Sequence, residues 1–258
     1  MFSIRNVSMS VNGRTILRDI DLEIKAGERM VVLGINGSGK TSLLKILNGL
    51  VFPQKGQVLY KDHIMKQQDL NDGAFKKMFR KEVVLLFQNV DAMLFNPTVY
   101  DEISFGPRQF GFDDIEERTW KYAEIFGLKG YMKSAPFELS GGEKKMVALA
   151  SIMSIEPDVL LLDEPTAHLD PGGAASLLEF INSLRGKTVV STTQNLSIVE
   201  ELGDRVVVLS KDHLIIFDGN PTELFSNEKL LIESGLVHKH IHRHPDTLHT
   251  HYHRHDFD

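Results

Sequence analysis

Gly34-Ile35-Asn36-Gly37-Ser38-Gly39-Lys40-Thr41 is the stretch that decides the reading of this chain. It stands between an apolar run, Met30 to Leu33, and a helix-like run from Ser42 to Leu50. Strand, glycine-rich turn and helix start form the context in which a G-x-x-x-x-G-K-[ST] match means a phosphate cradle. Glycines let the backbone curl until successive N–H groups converge on phosphate oxygens, and the helix behind them adds its positive dipole end. In such a cradle Lys40 reaches the β- and γ-phosphates and the Thr41 hydroxyl ligates Mg²⁺. A tight turn that happens to carry a lysine is the bland alternative.

The chain around this loop has 258 residues, 42% hydrophobic and 25% charged. That suffices for a sizeable core and for one large α/β domain or a domain with an insertion. A formal net charge of −6 gives no general attraction to nucleic acid or to anionic lipid. No uninterrupted apolar run approaches bilayer length, and the start carries no charged segment followed by an apolar core. The expected place is therefore the cytosol, at most peripherally on a membrane. The absence of cysteine excludes disulfides and thiolate metal sites.

Upstream of the loop, Phe2 to Val11 and Ile16 to Ile24 alternate apolar and polar residues around Asn12-Gly13, the pattern of an antiparallel hairpin. Downstream, Gln57 to Tyr60 reads as a short strand, Phe75 to Arg80 as helix, and Val83 to Phe87 as a buried strand that delivers Gln88 at its carboxyl end. Ligands of open α/β sheets bind at such ends, although a lone glutamine there is more often a loop residue. Val99 to Phe105, Asp113 to Phe126 and Glu143 to Met153 then carry apolar residues at helical spacing, with Asp113-Asp114 as an acidic helix start. The expectation is a helical subdomain inserted at about 91–155.

Within it, Leu139-Ser140-Gly141-Gly142-Glu143 places a hydroxyl and open N–H groups at a helix start, a second anion site or simply a capped helix. After it, Val159 to Leu162 is a buried strand ending in Asp163-Glu164-Pro165. An aspartate so placed can hold Mg²⁺, and the glutamate beside it can polarise an attacking water.

With these residues in order, the chain resembles the nucleotide-binding subunits of ABC transporters. Gly34 to Thr41, Gln88, Leu139 to Glu143, Val159 to Pro165 and Thr166-Ala167-His168-Leu169-Asp170 carry the resemblance, which covers essentially residues 1–218. It implies a P-loop NTPase core, a mixed sheet flanked by helices, with an antiparallel β subdomain and the inserted helical one. It implies ATP and Mg²⁺ as ligands. The nucleotide set is then Gly34, Asn36, Gly37, Ser38, Gly39, Lys40, Thr41 and Ser42 in the Walker A loop, Gln88 in the Q-loop, Ser140, Gly141 and Gly142 in the signature, Asp163 in Walker B and Asp170 in the D-loop. Thr41, Gln88 and Asp163 would arrange Mg²⁺, and Glu164 would be catalytic. The resemblance also implies a head-to-tail homodimer or pseudo-dimer, each ATP between one subunit's Walker A and the other's signature, which accounts for two anion sites in one chain.

A narrower likeness runs through Val84 to Asp91, Leu94 to Glu102, Phe105-Gly106-Pro107 and Asp218 to Phe225, and is similar to the ATPases of energy-coupling-factor importers, which take up cobalt, nickel and vitamins. It implies an integral membrane subunit docking beside Gln88, with this chain peripheral on the cytoplasmic face; the net charge of −6 adds the expectation of no nucleic-acid partner. Two positions depart from the family. Gln194, in Thr193-Gln194-Asn195, stands where a switch histidine is usual, and an amide can bond a γ-phosphate oxygen but cannot become charged. Val11 stands where an aromatic residue usually stacks on adenine.

The ATPase domain is expected over 1–237, and 238–258 is expected as a histidine-rich tail without fixed structure. There His238, His240, His242, His244 and then His249, His251, His253, His255 recur at every second position. In an extended chain each set of four lies on one side, and imidazole suits Ni²⁺, Co²⁺, Zn²⁺ and Cu²⁺. A solvated tail or an expression tag is the alternative, but tags are usually contiguous and these histidines are interleaved. His63, His168 and His213 read as ordinary surface or loop residues. The resulting expectation is an ATP hydrolase that drives import, of cobalt or nickel above vitamins or other cargo. The rivals are a soluble non-transport ABC ATPase, against which the acidic balance and compact insertion speak, and a metal store or chaperone.

Overall fold

The computed structural model describes residues 1–71, 73–244 and 247–254, with the backbone alone beyond Val237. The chain divides into two compact units, 1–65 with 189–258, and 66–188. Both combine strands and helices, in the α/β arrangement that the sequence leads one to expect.

The first unit opens with β1 (Phe2–Val11) and β2 (Arg14–Ile24), paired antiparallel with Val11 opposite Arg14. The turn between them takes φ of 50° at Asn12 and 75° at Gly13, the two positive values of a type I′ turn, so the Asn-Gly pair sets the register. Phe2, Ile4, Val7, Ile20, Leu22 and Ile24 are buried while polar neighbours face out. β3 (Arg29–Leu33) follows, then α1 (Lys40–Leu47), β4 (Lys55–Tyr60) and the short β5 (His63–Ile64). The antiparallel sheet runs β2-β1-β4-β5.

The second unit begins with α2 (Ala74–Glu82) and β6 (Val83–Leu86), then α3 (Val99–Phe110), α4 (Ile115–Ile125), α5 (Gly141–Met153), β7 (Val159–Asp163) and α6 (Pro171–Ser183). Helices α3, α4 and α5 pack on one another, and β6 runs parallel to β7. Caps fix the helix starts: the Thr98 hydroxyl accepts from Asp101 N at 3.1 Å, and Ser140 forms a capping box with Glu143. Every residue of β6 and β7 is buried, which is why both read as unbroken apolar runs rather than as alternation. Each of their valine and leucine side chains contributes about 1.5–3 kcal/mol by leaving water.

The chain returns to the first unit with β8 (Thr188–Thr193), α7 (Val199–Leu202), β9 (Arg205–Leu209) and β10 (Ile215–Gly219), followed by α8 (Pro221–Ser226) and α9 (Glu228–Glu233). β3 lies between β8 and β9, parallel to both, and β10 pairs antiparallel with β9. β11 (Val237–His244) and β12 (Thr247–Arg254) pair antiparallel at the end. No described helix is long and apolar enough to cross a membrane.

Candidate functional site

In the first unit, β3 ends at Leu33 and the glycine loop turns the chain into α1. The helix begins at Lys40 rather than Ser42, because Gly39 at its N-cap takes φ of 110°, which a side chain would not tolerate. Space is short as well as torsion: a Cβ on Gly39 would lie 2.4 Å from the Ile16 carbonyl oxygen, and one on Gly34 would lie 2.7 Å from that of Leu209. Lys40 is 7% exposed and folds back over the loop, its Nζ donating to the carbonyls of Gly34 at 2.7 Å and Ile35 at 3.3 Å. Ser38 is 1% exposed, and its Oγ is one of two buried side-chain oxygens that lack a hydrogen-bond partner among the described residues. A buried hydroxyl without a partner is costly. Together with an ammonium held in the same loop and a helix N-terminus behind it, this fits a phosphate group.

The neighbouring strand brings Gln194 to the same end of the sheet. Leu33 and Thr193 are register partners, so Gly34 and Gln194 are the residues at which the two parallel strands leave the sheet. The side chain of Asn195 is engaged locally, its Oδ1 accepting from Ser197 N at 2.8 Å. A residue whose sequence reads as an ordinary surface or loop position also lies here. His213, in the β9–β10 turn with φ of 65°, places Nδ1 3.3 Å from the Ser38 carbonyl, while its own carbonyl accepts from Arg18 N at 2.9 Å. The turn thus ties β2 to the phosphate loop. Val11, at the first hairpin turn, is 45% exposed, and His63 is exposed on β5.

In the second unit, Leu86 and Leu162 are register partners on parallel strands, so Gln88 and Glu164 each lie two residues beyond a matched pair. Asp163 ends β7 at 2% exposure. Glu164 takes φ of 46°, a left-handed conformation that costs a non-glycine residue free energy and must be held by its surroundings. Lys145 holds them. It is 2% exposed, and its Nζ donates to the carbonyls of Glu164 (3.3 Å), Pro165 (2.9 Å) and Ala167 (2.5 Å). Burial pushes its ammonium down to about 8, against the opposing pull of the Glu164 and Asp163 carboxylates.

A pocket of about 440 Å³ opens beside this lysine, lined by Gln88, Asp91, Gly141, Lys144, Lys145 and His168 among others. Lys144 pairs with Asp91 at 2.9 Å across it. At its edge Ser140 N donates to Glu143 Oε2 at 2.8 Å, and hydrogen bonds from Tyr131 and then Ser140 hold the Glu143 carboxyl below the ordinary carboxylate range. His168, an exposed loop residue with φ of 64°, also lines the pocket, and Asp170 precedes α6 at the N-cap. Lys145 had a signal in the sequence: it lies three and four residues before Ala148 and Leu149, on the buried face of α5. Of the tail histidines, His238 to His253 fall on β11 and β12, and His255 lies outside the described residues.

Comparison with known proteins bears on these two sets of residues. A family model described as ABC transporter matches residues 17–167. The energy-coupling factor transporter ATP-binding protein EcfA of Methanothermobacter thermautotrophicus is 37% identical over 241 residues, covering 92% of this chain and 76% of that one. Among solved structures, cbiO1 from Clostridium perfringens, part of the ABC transporter complex cbiONQ, superposes with a TM-score of 0.75 at 31% identity, covering 90% of this chain and 92% of the other. A dimeric ATP-binding cassette in a post-hydrolysis state, bound to ADP and Pi, gives a TM-score of 0.76 at 25% identity over 86% and 99% of the two chains.

Proposed function

Because the chain belongs to the ABC transporter ATP-binding family and is an ATP-hydrolysing subunit of that kind, we propose that it energises an importer of the energy-coupling-factor type whose cargo is cobalt or nickel ion. The observation that carries the ATPase role is the glycine loop, which holds the buried, unpartnered Ser38 hydroxyl and the Lys40 ammonium in a turn that admits only glycine at Gly34 and Gly39. The similarity to EcfA and to cbiO1 supports the importer class, and the histidine-rich tail supports a transition-metal cargo.

In this reading Lys40, Ser38 and the backbone N–H groups of the loop hold the phosphate oxygens, and Lys40 exchanges its carbonyl acceptors for them. Thr41, Gln88 and Asp163 offer the oxygen donors that Mg²⁺ takes, and the ion neutralises charge on the phosphates when bound. Glu164 accepts a proton from the water that attacks the γ-phosphorus, and ADP leaves. Gln194 donates an uncharged amide hydrogen bond toward the γ-phosphate. Ser140, Gly141 and Gly142 serve the nucleotide of a second ATPase subunit, identical or closely related, and Asp170 lies in the segment that meets that subunit. An integral membrane subunit supplies the passage, with this chain peripheral on the cytoplasmic face. The tail takes up transition metal, and its affinity falls as the pH drops through the imidazole pKa of about 6.5, since only neutral imidazole ligates.

Glu164→Gln tests the assignment, because an amide keeps the shape of the carboxylate and removes its basicity. Hydrolysis should slow on the order of 10²–10⁴-fold with ATP binding retained, and size-exclusion chromatography with ATP should show a trapped dimer. Turnover at the wild-type rate would overturn the role of Glu164.

A further inference from the structure

We propose that the C-terminal hairpin is a transition-metal site created by its strand register, and not by histidine content alone. The proposal rests on the reading of the tail as metal-binding and says how the site is built. β11 and β12 pair so that His238 stands opposite His253, His240 opposite His251 and His242 opposite His249. His244 stands opposite Thr247. Residues two apart on a strand share a face, and so do directly opposed residues. All seven histidines of the two strands therefore fall on one face of the ribbon. The other face carries Lys239, Ile241 and Arg243, opposed by Tyr252, Thr250 and Leu248.

Spacing makes this face suitable for a metal ion. Directly opposed residues have Cβ atoms about 4.5–5.5 Å apart, and the next rung is about 6.6–6.8 Å along the strand. An imidazole nitrogen sits about 2.0–2.1 Å from zinc, so two histidines of one rung can chelate a single ion and an adjacent rung can complete four nitrogens. The three His–His rungs and His244 give seven imidazoles, one set of four and one of three, enough for about two ions per chain. A slip of one residue would move one strand's histidines to the opposite face and replace every His–His rung by a mixed one. The alternation in both halves of the segment is in phase with the pairing, which composition alone does not require. Metal binding and strand pairing are then one equilibrium: ligation holds the ribbon together, and the ribbon presents the ligands.

Calorimetric titration of Ni²⁺ and of Zn²⁺ into the full chain, with far-ultraviolet circular dichroism on the same samples, tests this against two altered chains. One ends at Val237. The other exchanges neighbours in β12, His249→Thr with Thr250→His, His251→Tyr with Tyr252→His, and His253→Arg with Arg254→His, so that composition is unchanged and those histidines change face. The intact chain should bind about two ions and gain strand signal as it does so. The exchanged chain should bind on the order of tenfold more weakly without that gain. Equal affinity, stoichiometry and spectral change in the intact and exchanged chains would overturn the register proposal while leaving a metal-binding tail in place. Equal binding by the intact and truncated chains would overturn the tail reading itself, and the register proposal with it.

Discussion

Lys40 and Lys145 are both buried ammonium groups that donate to backbone carbonyls, yet the two regions they serve are built on opposite principles. The acceptors of Lys40 lie five and six residues behind it, in the loop whose curl it fills. The acceptors of Lys145 lie 19 to 22 residues ahead, so the bond joins the start of α5 to the segment that follows β7. In the first region an arriving phosphate can take the place of the carbonyls, because anion and acceptors compete for one loop. In the second the bonds hold Glu164 in a left-handed conformation and leave the lysine no such exchange. One kind of bond thus leaves a group open to exchange where its acceptors are local, and makes a structural tie where they come from another element.

The largest effect that distinguishes the two comes from removing each ammonium. Lys40→Ala should lower ATP hydrolysis on the order of 10²–10³-fold, the loss typical of a donor aimed at developing charge, and should weaken ATP binding in equilibrium dialysis. Lys145→Met should leave KM for ATP nearly unchanged and lower kcat about tenfold, equivalent to about 1.4 kcal/mol of misplacement at Glu164. Lys145→Arg, which can reach the same carbonyls, should restore part of the rate. A Lys145→Met protein with wild-type kcat, or one whose loss is all in KM, would break the comparison.

This contrast also explains what the sequence disclosed. The glycine turn between β3 and α1, the Asn12-Gly13 turn and the Ser140 cap were legible because each is set by residues within a few positions of one another, where torsion and hydrogen bonding act directly. The strands β3 and β7 were legible because complete burial of Met30 to Leu33 and of Val159 to Leu162 leaves an unbroken apolar run. Lys145 was not, since lysine is among the residues least often buried, and only its spacing with Ala148 and Leu149 hinted otherwise. His213 was illegible for a different reason: its partner Ser38 is 175 positions away, joined by the placement of the β9–β10 turn. Nothing local in Lys211-Asp212-His213 marks that contact.

A smaller effect sharpens the energetic side of the comparison. Lys145→Met takes a donor from the Pro165 and Ala167 carbonyls, at about 1–3 kcal/mol each, while Ala167 N still donates to the Glu164 carbonyl, and it also removes a buried charge whose depressed pKa corresponds to about 3 kcal/mol, so the two effects on stability near neutral pH oppose each other. The pH dependence isolates the charge. The folded protein sheds the Lys145 proton near pH 8, whereas the unfolded chain keeps it until about 10.5. Between those values the unfolded state binds more protons, and this group therefore makes stability rise with pH. In denaturant melts the stability of wild type relative to Lys145→Met should increase by up to about 3 kcal/mol from pH 8 to 10.5. A difference that stays flat would mean that burial does not depress the pKa of this ammonium.

The smallest effect tests whether the phosphate loop also has a tie of the second kind. His213 reaches the Ser38 carbonyl with a bond of 3.3 Å from a half-buried ring, so its net contribution is on the order of 1 kcal/mol. His213→Gly is the informative change, because glycine accepts the φ of 65° without strain and the turn should keep its path. The backbone bond from Arg18 to residue 213 survives, and only the ring's hold on the loop is lost. ATP affinity should then fall about fivefold, the equivalent of 1 kcal/mol, with kcat preserved, since Glu164 and Lys145 are untouched. His213→Asn, which tolerates a positive φ and keeps a donor on a shorter side chain, should fall between the two. Unchanged affinity in His213→Gly, measured by fluorescence titration beside an unchanged melting temperature, would show that the loop is held by its own glycines and Lys40 alone. Local closure would then suffice for the phosphate site, and the long-range tie would belong to the Lys145 region only.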